Sequence, residues 1–258
     1  MIDWLDRHAQ AASPLHRWDP RYKLVGLTIL MFAFSSVQDL RLLPAMLAVT
    51  SGLYAASRIP LAFLLTRLRA PGFFIAIVAI LLPFLSGTTV IARIGPLILW
   101  KEGTLAMGLI VAKFISILTI SLVLFGTAPF LTTIKALRAL GLSPILGDMT
   151  LLAYRYLYEI GNDLKTMEMA MGLRGFRARR PSSRVLGVLA SLAGTMLVRS
   201  YEQSELVYKA MTLRGYGHSP RPREQFQAHP RDWVGLAGVL LVAAGFVAAE
   251  IWLRGLGG

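Results

Sequence analysis

The chain has 258 residues, of which 55% are apolar and 16% are charged, whereas a soluble domain carries roughly 25% charged residues. This imbalance indicates a membrane protein. Cysteine is absent, which excludes disulfides, thiolate metal sites and cysteine nucleophiles. The four histidines lie in polar stretches without a metal-ligand spacing, so a histidine-built metal site inside the membrane is excluded as well. They are His8, His16, His218 and His229.

The formal net charge is +13, from 27 Lys and Arg against 14 Asp and Glu. Residues 128–232 hold 15 of these cations together with 8 of the acids. A nucleic-acid-binding protein shows a dedicated basic patch or stripe, and the mixed charges of this segment form none. Cytoplasmic loops of membrane proteins collect Lys and Arg because of how the chain inserts. We therefore expect membrane lipids, and no nucleic acid, among the partners.

Apolar segments along the chain predict five membrane spans. Crossing the hydrocarbon takes about 20 apolar residues in a helix, and fewer where neighbouring helices bury the ends. The first segment is short and is expected to extend back into residues 19–23, and residues 61–71, with Arg67 and Arg69, are expected to form an amphipathic connector. The predicted spans are Leu24–Val37, Leu42–Ser57, Gly72–Ile91, Thr104–Phe125 and Trp233–Leu253.

The positions of the cations predict the orientation. Seven Lys and Arg precede span one or follow span two, whereas only Arg41 lies between spans one and two. Positively charged loops stay inside, so the N-terminus and residues 128–232 are predicted to be cytoplasmic and the C-terminus external, in a bacterial inner membrane. The polar N-terminus lacks the apolar core of a signal peptide, and we expect no cleavage there.

The polar segment between spans four and five is predicted to contain two long helices. Apolar residues from Ala153 to Met171 recur at three- and four-residue steps, which is the pattern of one apolar helix face. A second helical stretch runs over residues 185–213. We thus expect an all-α integral membrane protein with about five spans, divided into residues 1–127, a cytoplasmic helical domain at 128–232, and a last span at 233–258.

Both long helices end in the same pattern, Ala-Met-x-Leu-Arg-Gly-aromatic, written AMGLRGF at residues 170–176 and AMTLRGY at residues 210–216. Helix capping is one interpretation, because Arg faces the negative end of the helix dipole and Gly takes the left-handed cap. A helix cap requires only the glycine, however. It does not require Ala-Met before the glycine or an aromatic residue after it. The alternative is that each ending docks into a partner protein. The guanidinium group of the Arg would then offer several N–H donors in a fork, and the Met and the aromatic would be apolar anchors.

The two Arg-Gly endings, the YRYL sequence at Tyr154–Leu157 with Pro144 before it, and the five-span layout resemble the T component of energy-coupling factor transporters. The chain is most similar to the CbiQ branch, which serves cobalt uptake and cobalamin biosynthesis. Many members of the family carry Ala before the Arg, whereas both endings here carry Leu. This difference favours the metal branch over the vitamin branches.

The resemblance implies a non-catalytic subunit of an ATP-driven importer. Its implied partners are two CbiO-like ATP-binding-cassette subunits and a CbiM-like substrate-binding membrane subunit, with or without a small CbiN-like subunit. The chain itself binds no cofactor and no metal, and ATP is used by the ATPase. The implied ATPase-binding residues are Ala170, Met171, Leu173, Arg174, Gly175, Phe176, Ala210, Met211, Leu213, Arg214, Gly215 and Tyr216. The implied contacts to the substrate-binding subunit are Leu157, Ile160, Leu164 and Met167.

Several alternatives stay open at this point. The apolar stripe of the first long helix could pack on the second helix instead of on a partner. The intramembrane charges Lys113 and Glu250 could be functional, or they could form a structural pair or extend toward the membrane surface by snorkelling. Nickel or a vitamin could replace cobalt as the cargo. The chain could also be a self-contained permease, or a lipid enzyme, although the acids Asp163 and Glu168 fall on different helix faces and the spans offer few converging polar groups.

Overall fold

The computed structural model describes residues 13, 15–16, 18–85, 90–94, 97–176, 182–217, 226 and 229–257. The chain divides into unit 1, Met1–Gly141 with Gln225–Gly258, and unit 2, Leu142–Glu224. Unit 1 contains α1 (Pro20–Ser36), a single 3-10 turn (Leu40–Leu42), α2 (Leu43–Ser57), α3 (Leu61–Leu85), β1 (Val90–Ile94), β2 (Leu97–Trp100), α4 (Lys101–Gly126), α5 (Phe130–Ala139) and α8 (Pro230–Gly257). Unit 2 contains α6 (Pro144–Leu173) and α7 (Ser183–Leu213).

Four helices of the described residues are long and apolar enough to cross a membrane. They overlap predicted spans two to five, so the prediction of an all-α, multi-pass membrane protein is confirmed. The helix α1 has 17 residues and is about 26 Å long, less than the roughly 30 Å of the hydrocarbon core; its crossing stays a prediction. The four spans are Leu40–Ser57, Leu61–Pro83, Glu102–Gly126 and Pro230–Gly255.

Two details between α2 and α4 were predicted wrongly. The expected connector at residues 61–71 is the first part of α3, which continues through both Pro71 and Pro83. The predicted third span was drawn to Ile91, but α3 ends at Leu85 and residues 90–94 form β1, which pairs antiparallel with β2. Val90, Ile91 and Ile94 are β-branched, and β-branched residues favour strands. The short amphipathic helix α5 was not predicted.

Helix α1 forms the centre of unit 1. Leu27, Leu30 and Phe34 are fully buried in its packing with α4 and α8. The ring of Phe34 meets that of Phe246 edge-to-face at 5.0 Å between centroids, a favourable arrangement. A Cβ on Gly26 would come within 3.2 Å of Leu236, so glycine permits the close approach of α8. One face of α1 is thus packed against α4 and α8, whereas Ile29 and Phe32 on the opposite face stay exposed.

Buried polar contacts fasten the start of α1 to its neighbours. The ammonium group of Lys23, 1% exposed, donates to the carbonyl of Leu15 at 3.2 Å, the carbonyl of Thr127 at 3.2 Å and the Thr127 hydroxyl at 2.8 Å. Its three donors are thus matched, which a buried ammonium group requires. The side chain of Asp232 accepts the backbone N–H groups of Asp19 at 3.2 Å and His229 at 2.9 Å. These contacts tie α1, α4 and α8 together at one end.

The two intramembrane charges occupy the other end of α1. Glu250, 5% exposed, accepts the backbone N–H of Asp39 at 3.2 Å and the Arg254 guanidinium at 2.9 Å. Lys113 donates to the carbonyl of Ser35 at 2.9 Å, in the last turn of α1. Both side chains therefore satisfy backbone groups where α1 ends, which agrees with the structural interpretation of this pair.

Replacing Glu250 with Ala is expected to destabilise unit 1, because the Asp39 N–H and the Arg254 guanidinium would lose a buried acceptor. The expected cost is about 1–3 kcal/mol, a fall of several degrees in melting temperature, measured by a thermal-shift assay in detergent. Glu250→Gln keeps a neutral acceptor for the N–H of Asp39 and should lose less. Equal melting temperatures for wild type and Glu250→Ala would contradict the structural role.

Candidate functional site

The candidate site lies on α6 and α7, the two long helices of unit 2. Both helices lie where the sequence predicts them. Pro144 is the first residue of α6, the helix position at which proline is favoured, so the helix begins earlier than the apolar stripe from Ala153 indicates. The side chain of Ser182 caps α7 by accepting the N–H of Val185 at 3.3 Å.

The contacts between α6 and α7 show that the two helices run in opposite directions. Gln203 donates to Glu159 at 2.7 Å, and Arg199 pairs with Asp163 at 3.5 Å. Residues further along α6 thus face residues earlier in α7, and the ending of α7 lies beside the start of α6. These exposed polar pairs set the register and contribute little stability.

The repeated endings therefore lie far apart. The ending of α6 follows Leu173, and that of α7 returns to the start of α6, where Tyr216 contacts Asp148. The part of α6 between Asp148 and Leu173 is about 38 Å long at 1.5 Å per residue. One rigid helix pair thus carries the same ending at two places separated by roughly this distance.

The first ending is a Schellman cap. The N–H of Phe176 donates to the carbonyl of Met171 at 3.0 Å, and the N–H of Gly175 donates to the carbonyl of Gly172 at 3.0 Å. This pair of bonds defines the motif. Gly175 has a φ of +83°, which glycine adopts without a steric cost.

The second ending repeats this geometry. The N–H of Tyr216 donates to the carbonyl of Met211 at 3.0 Å, and the N–H of Gly215 donates to the carbonyl of Thr212 at 3.0 Å. Gly215 has a φ of +81°. The same sequence pattern therefore produces the same backbone conformation at both helix ends.

Capping explains more of the repeat than the sequence indicates. The Schellman motif commonly pairs an apolar side chain three positions before the cap with one just after the glycine. Met171 and Phe176 occupy these positions in the first ending, as Met211 and Tyr216 do in the second, and all four are half-buried. The Met and the aromatic therefore suit the cap as well as a partner, which makes capping a fuller explanation than the sequence alone indicates.

Capping does not explain the residues that project outward. Leu173 is 86% exposed and Leu213 is 89% exposed. Burying a leucine is worth about 1.5–3 kcal/mol, so each ending leaves that stabilisation unused. Arg174 and Arg214 are exposed beside them, as are Ala170 and Ala210. Each ending thus presents an apolar anchor next to a fork of donors, a combination that suits a groove in a protein partner.

The four residues predicted to contact a substrate-binding subunit do not share one environment. Ile160 and Met167 line a small pocket against α7 together with Met196, which agrees with the alternative that the helices pack on each other. Leu157 is 52% exposed, and Leu164 is half-buried. Of the four, Leu157 is the most available to a partner.

Sequence reasoning missed an apolar groove of about 720 Å³ between the start of α6 and the end of α7. On α6 its lining residues follow one helix face at steps of three and four residues, from Ile145 before the predicted stripe to Ile160 within it. This spacing is the signal that could have found it. The lining includes Ile145, Met149, Leu152 and Tyr156 from α6, and Val207, Tyr208 and Met211 from α7.

A cluster of polar side chains would be the alternative kind of site. Among the described residues, no group of three or more His, Asp or Glu side chains could hold a metal ion. The buried carboxylates Asp19, Asp232 and Glu250 all accept hydrogen bonds within unit 1. The surface that stands out is instead the outward Leu-Arg pair at each end of the α6–α7 pair.

Comparisons with known proteins show the family of this chain. The sequence profile of the family described as CbiQ, cobalt transport protein, matches residues 11–227. A protein of Bacillus selenitireducens is 29% identical over 97% of this chain and 98% of its own length. One of Limosilactobacillus fermentum is 30% identical over 93% of this chain and 95% of its own. Both are named energy-coupling factor transporter transmembrane protein EcfT. The chain therefore belongs to the CbiQ/EcfT family of transmembrane components of energy-coupling factor transporters.

Proposed function

We propose that this protein couples ATP hydrolysis to the uptake of cobalt by holding two ATPase subunits and one substrate-binding membrane subunit. The observation that carries the proposal is the repeated ending. Two identical caps, each with an outward Leu and Arg, sit about 38 Å apart on one helix pair. A pair of similar ATPase subunits offers two equivalent grooves, and two equal endings at a fixed separation suit such a partner.

In each groove the leucine is the apolar anchor and the arginine the specific contact. The guanidinium group of Arg174 or Arg214 can bind a carboxylate or several carbonyls through its fork of donors. The cap holds this side chain at the tip of the helix, and a Cβ on Gly175 would meet nothing within 4 Å. The glycine is therefore needed for its backbone conformation and leaves room for the partner.

Force from the ATPase would act through the helix pair. When ATP binding closes the two ATPase subunits, the endings they hold move with them. The packing of Ile160 and Met167 against α7, together with the Glu159–Gln203 bond, resists separation of the helices. The exposed apolar side chains of α6, Leu157 among them, would carry the movement to the substrate-binding subunit, which then releases its ion into the cytoplasm.

The ion itself would pass through that partner. The two intramembrane charges of this chain are engaged with backbone groups at the end of α1, which supports a non-catalytic coupling role over a self-contained permease. The family description, cobalt transport protein, supports cobalt over nickel or a vitamin as the cargo. The distribution of cations supports a cytoplasmic N-terminus and a cytoplasmic α6–α7 pair in the bacterial inner membrane.

Charge reversal at both endings, Arg174→Glu with Arg214→Glu, is expected to abolish ATPase binding while membrane insertion continues. Each single reversal should weaken binding only partly, since two weak contacts on one frame reinforce each other through effective concentration. Co-purification of the ATPase from detergent extract measures this effect.

Arg138→Glu serves as the matched control, because Arg138 lies at the end of α5, outside unit 2. The control should capture as much ATPase as wild type does. A double variant that still captures a full complement of ATPase would overturn the proposed coupling role. Helix capping would then be the explanation of the two endings.

Cells without their own cobalt uptake should accumulate radioactive cobalt only when this chain is expressed with an ATPase pair and a substrate-binding subunit from the same genome. Nickel and a labelled vitamin are the comparison cargoes. Cobalt uptake by this chain alone would instead indicate a permease, and uptake of nickel or the vitamin but not cobalt would contradict the proposed cargo.

A further inference from the structure

The two repeated endings differ at two positions: Gly172 corresponds to Thr212, and Phe176 corresponds to Tyr216. The Thr212 hydroxyl donates within its own helix, to the carbonyl of Tyr208, so the aromatic position is the one that concerns the other helix. The first ends on Phe176 and the second on Tyr216. The Tyr216 hydroxyl donates to a carboxylate oxygen of Asp148 at 3.1 Å, across 68 residues of sequence. Phenylalanine has no hydroxyl, so this bond has no counterpart at the first ending.

The bond joins the second ending to the other helix. Asp148 lies in the second turn of α6 (Pro144–Leu173), whereas Tyr216 follows the last turn of α7. Tyr216 and Met211 also line the apolar groove together with Ile145 and Met149 of α6. Gly217, at a φ of +92°, continues the turn just after the tyrosine. The second ending is thus seated on α6 through a hydrogen bond and apolar contacts.

A bond to a charged acceptor is stronger than one between neutral groups. Tyr216 and Asp148 are both half-buried, so the bond between them is partly shielded from water. A fixed Tyr216 fixes the Schellman cap as well, because its N–H donates to Met211. The direction in which Leu213 and Arg214 project is therefore coupled to the position of α6.

We propose that Tyr216 and Asp148 are a positioning pair that clamps the second ending to α6 and makes the two endings mechanically unequal. This inference rests on the proposed function for its role in coupling. Movement of the partner at Arg214 reaches both helices at once through the clamp. Movement at Arg174 reaches α7 only through the packing between the helices.

The clamp can be tested on the full chain without any partner. The chain contains no cysteine, so spin labels can be placed on two introduced cysteines and their distance distribution measured by pulsed electron paramagnetic resonance. Leu146→Cys with Thr212→Cys, both at exposed positions, reports the clamp. Met169→Cys with Leu197→Cys, also exposed, reports the helix pair away from it.

Tyr216→Phe and Asp148→Ala are expected to broaden the distance distribution of the clamp pair and leave that of the control pair unchanged. Asp148→Asn keeps an oxygen that accepts from the hydroxyl and should restore a narrow distribution. Adding Asp148→Ala to Tyr216→Phe should broaden it no further, since both changes remove the same bond. A clamp distribution that stays narrow in Tyr216→Phe, or one that broadens equally at the control pair, would overturn the positioning role.

The assembled transporter separates this inference from the proposed function. Asp148→Ala should still capture the ATPase, because it leaves every residue of the second ending unchanged, but transport per ATP hydrolysed should fall about tenfold. Transport per ATP equal to that of wild type would contradict the clamp's role in coupling. Capture of the ATPase by the Arg174/Arg214 charge-reversal variant would count against the proposed function and leave the distance measurements to decide on the clamp.

Discussion

Each long helix of unit 2 ends on a glycine held at positive φ, and the candidate surface depends on this conformation. A side chain at Gly175 or Gly215 would strain the backbone, because L-residues other than glycine pay roughly 1 kcal/mol or more in the left-handed region. The turn that follows the glycine brings the aromatic back to the helix and leaves Leu and Arg at the tip. The cap is thus what converts a helix end into a protruding contact.

The two units differ in how much of their surface is buried by contacts within the chain. In unit 1 the buried polar side chains fasten α1 at both ends, through Lys23 and Asp232 at one and Glu250 at the other. In unit 2 the helices bury little, and large apolar side chains such as Met149, Leu197 and Leu213 stay exposed. A pair of helices with this much apolar surface needs partners to cover it, which agrees with a subunit that works only in an assembly.

Much of this fold and site could be predicted from the sequence, for identifiable physical reasons. The periodic stripe of α6 and the repeated endings are local signals, and both lie where they are predicted. Cross-helix contacts are not local: the bond between Tyr216 and Asp148 has no signature in either segment alone. The groove beside it leaves only the apolar spacing on α6 as a signal, and that spacing does not show which residues of α7 complete the groove. The cap geometry was undervalued because the pairing of Met with the aromatic depends on backbone bonds that the sequence does not display.

Errors near α3 have a different origin. Arg67 and Arg69 reduce the apolar character of residues 61–71, which favoured a connector over a helix that spans. The expected connector ends at Pro71, yet prolines inside membrane helices are tolerated where neighbouring groups satisfy the freed backbone. Residues of strand β1 were predicted as the end of span three, because a short apolar run does not distinguish a strand from a buried helix.

Cross-linking from both endings tests the central claim most directly. Leu173→Cys and Leu213→Cys place one reactive group at each tip of this cysteine-free chain, and the mass of the adduct with the ATPase counts the subunits reached. Each single substitution is expected to join one ATPase subunit, and the double substitution is expected to join two subunits to one chain. A double variant whose adduct never exceeds one ATPase subunit would contradict the view that the repeated ending serves two separate grooves.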